Sequence, residues 1–123
     1  MTRVLLAEDH ALVRAGLERL LATVDDIEVV GGAADGAEAV ALAAELTPDV
    51  VLMDLSMPNV DGIEATEQIA AADWAMPVVV LSAYDEPQMI EAALNAGAAS
   101  CLKKGVGLDE LIEAIRAADR TSA

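Results

Sequence analysis

The chain has 123 residues, with 22 acidic against 7 basic side chains and a formal net charge of −15. That length predicts one domain able to bury roughly two-thirds of the surface its unfolded form exposes. The charge disfavours nonspecific binding of nucleic acid or an anionic membrane by this chain alone, and the lone Cys101 excludes an internal disulfide or a thiolate zinc site.

Five short runs rich in β-branched residues or leucine read as strands: Arg3–Ala7, Ile27–Ala33, Val50–Leu55, Val78–Ser82 and Ser100–Lys103. The first, third and fourth are almost continuously apolar, the pattern of strands buried on both faces. Between them lie helical periods. Leu12, Val13, Gly16, Leu17, Leu20 and Leu21 form a broad stripe, expected to face the core. Segments 36–46, 63–72 and 87–96 are alanine-rich helix formers. Leu108, Leu111, Ile112 and Ile115 mark a last helix, expected to end near Ala118 with about 119–123 as a frayed end or the start of a linker. Thr47-Pro48-Asp49 stops one helix and Gly97 sits where a C-cap belongs. With 26 alanines and no phenylalanine, closely packed helices are expected over the sheet. Five βα alternations imply an α/β fold: parallel strands, right-handed crossovers and helices on both faces. No stretch approaches the ~20 apolar residues of a membrane span, and the first apolar run is too short for a signal peptide. A cytoplasmic protein with no membrane partner is expected.

Ligands of open parallel sheets bind outside the carboxyl ends of the strands. Glu8 and Asp9 follow the first strand, Asp54 and Ser82 end the third and fourth, and Lys104 follows the fifth. All five project from one edge. Two like charges ~4 Å apart cost about 4 kcal/mol at an effective dielectric near 20, and one lysine cannot balance three carboxylates. A hard divalent cation can, and all-oxygen ligation with retained waters fits Mg²⁺ best. A single acid at a strand end also serves as a helix N-cap, a role open to Asp9. Met57-Pro58-Asn59-Val60-Asp61-Gly62 is a turn before a helix, with Gly62 able to take a positive φ and the loop able to present the Ser56 carbonyl to a metal. Ser82 lacks a basic partner and so is read as a donor to an oxyanion on Asp54. Lys104 supplies charge to the same anion, with Lys103 alternating away.

Glu8-Asp9, Met53-Asp54-Leu55-Ser56-Met57-Pro58, Asp61-Gly62, Ser82-Ala83 and Gly97-Ala98 through Lys104 resemble the receiver domain of two-component response regulators over essentially the whole chain. Glu8-Asp9-His10-Ala11-Leu12-Val13-Arg14-Ala15-Gly16-Leu17 resembles the NarL/LuxR-type subfamily, whose members carry a helix-turn-helix domain after the receiver. The resemblance implies a flavodoxin-like (βα)₅ fold with strand order 2-1-3-4-5 and one receiver domain over residues 1–123. It implies Asp54 as acceptor of a phosphoryl group from a sensor histidine kinase. Asp9, Asp54 and the Ser56 carbonyl would hold Mg²⁺ directly, and Glu8 through water. Lys104 and Ser82 would bind the phosphoryl group. The implied output is transcription, with a phosphorylation-linked homodimer and DNA contacted only through an effector domain absent from this chain.

One departure is Cys101, where the family places a switch aromatic on the last strand: either Tyr84 takes part of that role or output relies on the loop alone. Gly105, where many receivers have proline, is a milder one. His10 is read as a first-turn helix residue at the rim of the site, Cys101 as a buried strand residue and Trp74 as loop packing. A phosphohydrolase is a poorer reading, because no cap insertion exists to hold a substrate. A flavin carrier is poorer too, since two acids stand where a phosphate loop needs Ser, Thr or Gly. A stand-alone or phosphorylation-independent receiver, acting as a protein-interaction module, is the alternative; the Glu8, Asp9, Asp54, Ser82 and Lys104 set argues against the independent form.

Overall fold

Three strands carry apolar side chains at consecutive positions, and this pattern decides where they sit. In the computed structural model, which describes residues 1–55, 62–72, 76–82 and 87–122, β1 (Thr2–Ala7), β3 (Val50–Asp54) and β4 (Val78–Ser82) are the buried centre of a five-stranded sheet. β2 (Ile27–Ala33) and β5 (Ser100–Lys103) form its less buried edges. The order is β2-β1-β3-β4-β5 and every pairing is parallel, as the resemblance implies. The strand limits agree with those read from sequence to within one residue.

Alternation along the strands divides the core in two. Leu5, Ala7, Val51, Met53, Val78 and Val80 face one side, covered by α2 (Gly36–Leu46), α3 (Gly62–Ala71) and α4 (Pro87–Asn95). Val4, Leu6, Val50, Leu52, Val79 and Leu81 face the other, under α1 (Ala11–Ala22) and α5 (Leu108–Ser122). The buried positions of α2 to α4 include Ala39, Ala43, Ala65 and Ala93. Small side chains at these positions let the helices lie close to the sheet, while many of the other alanines are exposed on the helices' outer faces.

Helix ends follow local chemistry. Asp35 caps α2 by accepting from the Glu38 N–H at 2.8 Å. At its other end Thr47 turns left-handed, with φ 45° and ψ 60°. The Arg3 guanidinium there donates to the carbonyls of Leu46 and Thr47, each at 2.9 Å. Gly97 closes α4 with φ 110°, and a Cβ there would lie 2.6 Å from the Cβ of Ala70 on α3. Among the described residues no helix is long and apolar enough to cross a membrane.

Two helices depart from expectation. The α1 stripe does not all face the core: Leu21 is buried and Leu17 packs against the sheet, but Leu12 is 88 % exposed and Val13 and Leu20 are nearly half exposed. The six positions make a stripe wider than the sheet covers where α1 lies, against β2 and β1 at one side of the sheet. The last helix does not end near Ala118 but continues to Ser122. Thr2 Oγ1 donates to Asp119 Oδ2 at 2.6 Å, fastening this turn to the start of β1. Arg116 forms a two-point pair with Asp26 at 2.8 and 2.9 Å. Burial separates the two kinds of apolar helix residue: Ile115→Ala should cost about 2–5 kcal/mol, whereas Leu12→Ala should stay within about 0.5 kcal/mol, both read from urea unfolding.

Candidate functional site

The parallel register sets the ends of β1, β3, β4 and β5 along one edge. The Glu8 N–H donates to the Ala33 carbonyl at 2.9 Å, so Glu8 extends the β1–β2 ladder by one residue. Asp54 is the last residue of β3, and the Lys104 N–H donates to the Ser82 carbonyl at 2.7 Å. These backbone bonds bring the side chains together: Lys104 Nζ stands 2.9 Å from Asp54 Oδ1 and 3.8 Å from Glu8 Oε1. Glu8 and Asp54 are each only 2 % exposed, Asp9 and Lys104 are half-buried, and Lys103 is exposed, as alternation requires.

Such crowding shows in the proton affinities. Burial, and next the hydrogen bond with Asp54, raise Glu8 from 4.5 to about 7, against the opposing pull of the His10 N–H. Burial lowers the affinity of Lys104, but the hydrogen bond and charge of Asp54 overcome it, with help from Glu8 and Asp9, and leave Lys104 raised. One lysine therefore does not neutralise the pair, and Glu8 is poised to keep a proton near neutral pH.

Ligand atoms of Glu8, Asp9 and His10 all lie within 4.8 Å of one another. The buried members of the site are carboxylates, the donor type that suits a hard oxygen-seeking cation such as Mg²⁺. The residues present fit such an ion: two crowded carboxylates, one near its protonation midpoint, gain from replacing a shared proton by a divalent charge. His10 is exposed and stands one residue before α1, at the rim. It caps the helix by position, without a side-chain bond, and its N–H donates to Glu8 Oε2 at 3.2 Å.

Gly62 is needed for a different reason from the one read in the sequence. It has no positive φ, since among the described glycines only Gly97 and Gly105 do. A Cβ at Gly62 would lie 2.6 Å from the Asp54 carbonyl oxygen and 2.9 Å from Leu55 Cα. The start of α3 is thus pressed against the backbone that carries Asp54.

Ser82 is fully buried, and the Cys101 thiol donates to its hydroxyl over a long 3.9 Å. Cys101 is half-buried, less than expected. Burial raises its pKa, against the pull of Ser82, so it is a thiol at neutral pH. Ser56, Tyr84 and Trp74 lie outside the described residues. Sequence reasoning missed two contacts here: that of Cys101 with Ser82, foreshadowed only by the adjacency of β4 and β5, and that of Arg14 Nη1, which donates to the Glu8 carbonyl at 2.7 Å.

Residues 4–116 match the family described as "Response regulator receiver domain". The chain is 47 % identical over 120 residues to the transcriptional regulatory protein LiaR of Bacillus subtilis, covering 98 % of this chain and 57 % of LiaR. It is 45 % identical over 116 residues to the response regulator GacA of Pseudomonas viridiflava, covering 94 % of this chain and 54 % of GacA. The chain thus spans about half the length of the curated relatives it matches. A solved LuxR-family two-component response regulator from Aurantimonas sp. superimposes with a TM-score of 0.91 at 36 % identity, over 98 % of this chain and 86 % of that one. The response regulator domain of Thermotoga maritima CheB gives 0.88 at 37 % identity, over 98 % and 97 %. With its sheet order, its acidic edge and these similarities, the chain belongs to the receiver-domain family of two-component response regulators, alongside transcription regulators of the LuxR type.

Proposed function

We propose that this domain accepts a phosphoryl group on Asp54 from a phosphohistidine of a sensor histidine kinase and switches conformation in response. The observation that carries the reading is the 2.9 Å contact of Lys104 Nζ with Asp54 Oδ1, at a buried strand end beside Glu8. In the transfer an Asp54 carboxylate oxygen forms a bond to phosphorus as the bond from phosphorus to the histidine nitrogen breaks, and the imidazole leaves with that electron pair. Negative charge stays on the phosphoryl oxygens, where Lys104 can follow it from the carboxylate. The Ser82 hydroxyl, one strand over, accepts from Cys101 and so has its own proton to donate to the same oxygens. Asp9, Asp54 and the Ser56 carbonyl would hold Mg²⁺, with Glu8 bound through water. The ion, when bound, supplies charge neutralisation between the carboxylates and the incoming phosphoryl group.

The aspartyl phosphate adds charge and acceptor oxygens at the sheet edge, biasing the loops beyond β4 and β3. With Cys101 where the family has a switch aromatic, either Tyr84 takes part of that role or output relies on the loop alone. The chain's own residues assist both its phosphorylation and its slow dephosphorylation; it is not a turnover enzyme. The proposed output is transcription through a helix-turn-helix domain, with phosphorylation favouring a homodimer in the cytoplasm. The match to regulators of about twice this length supports that output. Exposed Leu12 and Val13 stand on the first turn of α1, beside Asp9, and offer the kinase an apolar foothold.

Acetyl phosphate with Mg²⁺ should add one phosphate to the wild-type chain by intact mass, and Asp54→Asn should abolish the adduct. A wild type without any adduct would instead favour a phosphorylation-independent interaction module. Glu8 gives a pH signature. Its pKa in the fold lies above 4.5, near 7. Its contribution to stability is therefore fully present below about pH 4.5 and lost as pH rises through about 7. Metal-free protein should lose several degrees of Tm between about pH 5 and about pH 8, and Glu8→Gln should flatten that slope. Mg²⁺ should raise Tm more at the higher pH, where it no longer competes with the proton. Leu12→Ala should leave acetyl phosphate labelling unchanged but slow transfer from a phosphorylated cognate kinase by about fivefold or more.

A further inference from the structure

Arg14 takes no part in the chemistry above, yet it is built into the site from behind. It lies on α1, half-buried, and its Nη1 donates to the backbone carbonyl of Glu8 at 2.7 Å. That carbonyl stands just past the end of β1, where a strand's ladder stops supplying partners. The other side of the same residue is already held, because the Glu8 N–H donates to Ala33. The peptide joining Glu8 to Asp9 is thus fixed by a guanidinium. A peptide plane so fixed restricts rotation on either side of it, and with it the direction in which the Asp9 side chain leaves the backbone.

A second, independent feature makes room for this contact. Arg14 passes across Gly32 on β2: a Cβ at Gly32 would lie 3.0 Å from Arg14 Cδ and 3.3 Å from its Nε, and 3.0 Å from Glu18 Oε1. Any side chain there would push the arginine stem away from the Glu8 carbonyl. The chemistry also favours arginine over lysine. Its planar, permanently charged fork holds a carbonyl in a set direction, whereas an ammonium is a rotating, strongly hydrated point charge. The positive charge sits behind three carboxylates without occupying the mouth of the site.

We propose that Arg14 is a positioning residue for the acidic turn: it aims Asp9 at the cation site by fixing the Glu8–Asp9 peptide, and Gly32 is the open position that lets it reach. The part concerning the cation rests on the reading of Asp9 as a metal ligand; the part concerning the turn does not.

The test combines Mg²⁺ titration with amide hydrogen exchange of the metal-free protein, on wild type, Arg14→Ala, Arg14→Lys and Gly32→Ala. Arg14→Ala should weaken Mg²⁺ binding about tenfold or more and speed exchange at the amides of Asp9 and His10, with β3 and α5 unchanged. Arg14→Lys should recover less than half of the affinity, and Gly32→Ala should fall between wild type and Arg14→Ala. A merely structural arginine would lower the unfolding midpoint while leaving the affinity of the folded protein alone. Wild-type affinity together with wild-type exchange at residues 9 and 10 in Arg14→Ala would overturn the proposal. Should that variant not fold, Arg14→Gln decides by the same two readings. A wild type that binds no Mg²⁺, with faster exchange at residues 9 and 10 in Arg14→Ala, would sink the acceptor reading and uphold the positioning role.

Discussion

Two buried carboxylates set side by side are the constraint around which this domain is organised. Glu8 and Asp54 end up together because β1 and β3 are neighbours in parallel register, Leu6 opposite Leu52 and Ala7 opposite Met53. Neither acid can retreat to solvent, since each sits at the end of a strand whose preceding residues are fully buried. The repulsion is therefore not relieved by movement. It is relieved by charge: a proton on Glu8, the ammonium of Lys104, or a cation that takes the proton's place. Each of these is a different occupancy of one electrostatic slot, and phosphorylation of Asp54 would alter what the slot requires.

The rest of the fold reads as means of holding that slot rigid. Both faces of the sheet are covered, so the strand ends cannot twist independently. Lys104 is fixed through its own backbone bond to Ser82 before its side chain reaches across β4 to Asp54. The start of α3 presses on the Asp54 carbonyl so closely that only a glycine fits. Arg14 does the corresponding work behind Glu8. Asp54, Lys104 and the acidic turn are each tied to backbone, whereas Leu12 and Val13 on α1 face solvent.

Much of this was legible in the sequence, for identifiable reasons. Consecutive apolar residues in a βα alternation leave few arrangements other than a parallel sheet, and strand ends in such a sheet share an edge. Asp54, Glu8, Asp9 and Lys104 could therefore be placed together from their positions alone. Contacts with backbone could not. Nothing in the letters distinguishes a glycine that needs a positive φ from one that must let a carbonyl approach, and Gly62 proved to be the second kind. Arg14 on a helix reads as a solvated cation until its carbonyl partner is seen. Periodicity shows that α1 is amphipathic but not how much of the stripe the sheet can cover, and Leu12, at one end of the stripe, lies outward. The last helix runs past Ala118 because Thr2, more than a hundred residues away, bonds Asp119; no local signal marks such an anchor.

Cys101 shows how a local substitution can be read through its neighbours. An aromatic ring on the edge strand would add bulk that swings between two positions; a thiol adds almost none. What the thiol does have is a weak donor, and it lies against the hydroxyl of Ser82, one strand from Asp54. The Ser82 oxygen accepts from the thiol, so its own O–H proton remains available to a new anion, and a long S–H···O contact opposes its rotation little. A charged phosphoryl oxygen is a strong acceptor for that proton, whereas the neutral sulfur is a weak donor to the oxygen. In the proposed reading the two contacts therefore do not compete: the thiol donates to the Ser82 oxygen, and the hydroxyl donates to the phosphoryl group when Asp54 is modified. Cys101 then supplies no large moving side chain, so either Tyr84 takes part of that role or output relies on the loop alone, while the thiol contact leaves the Ser82 proton free for the anion.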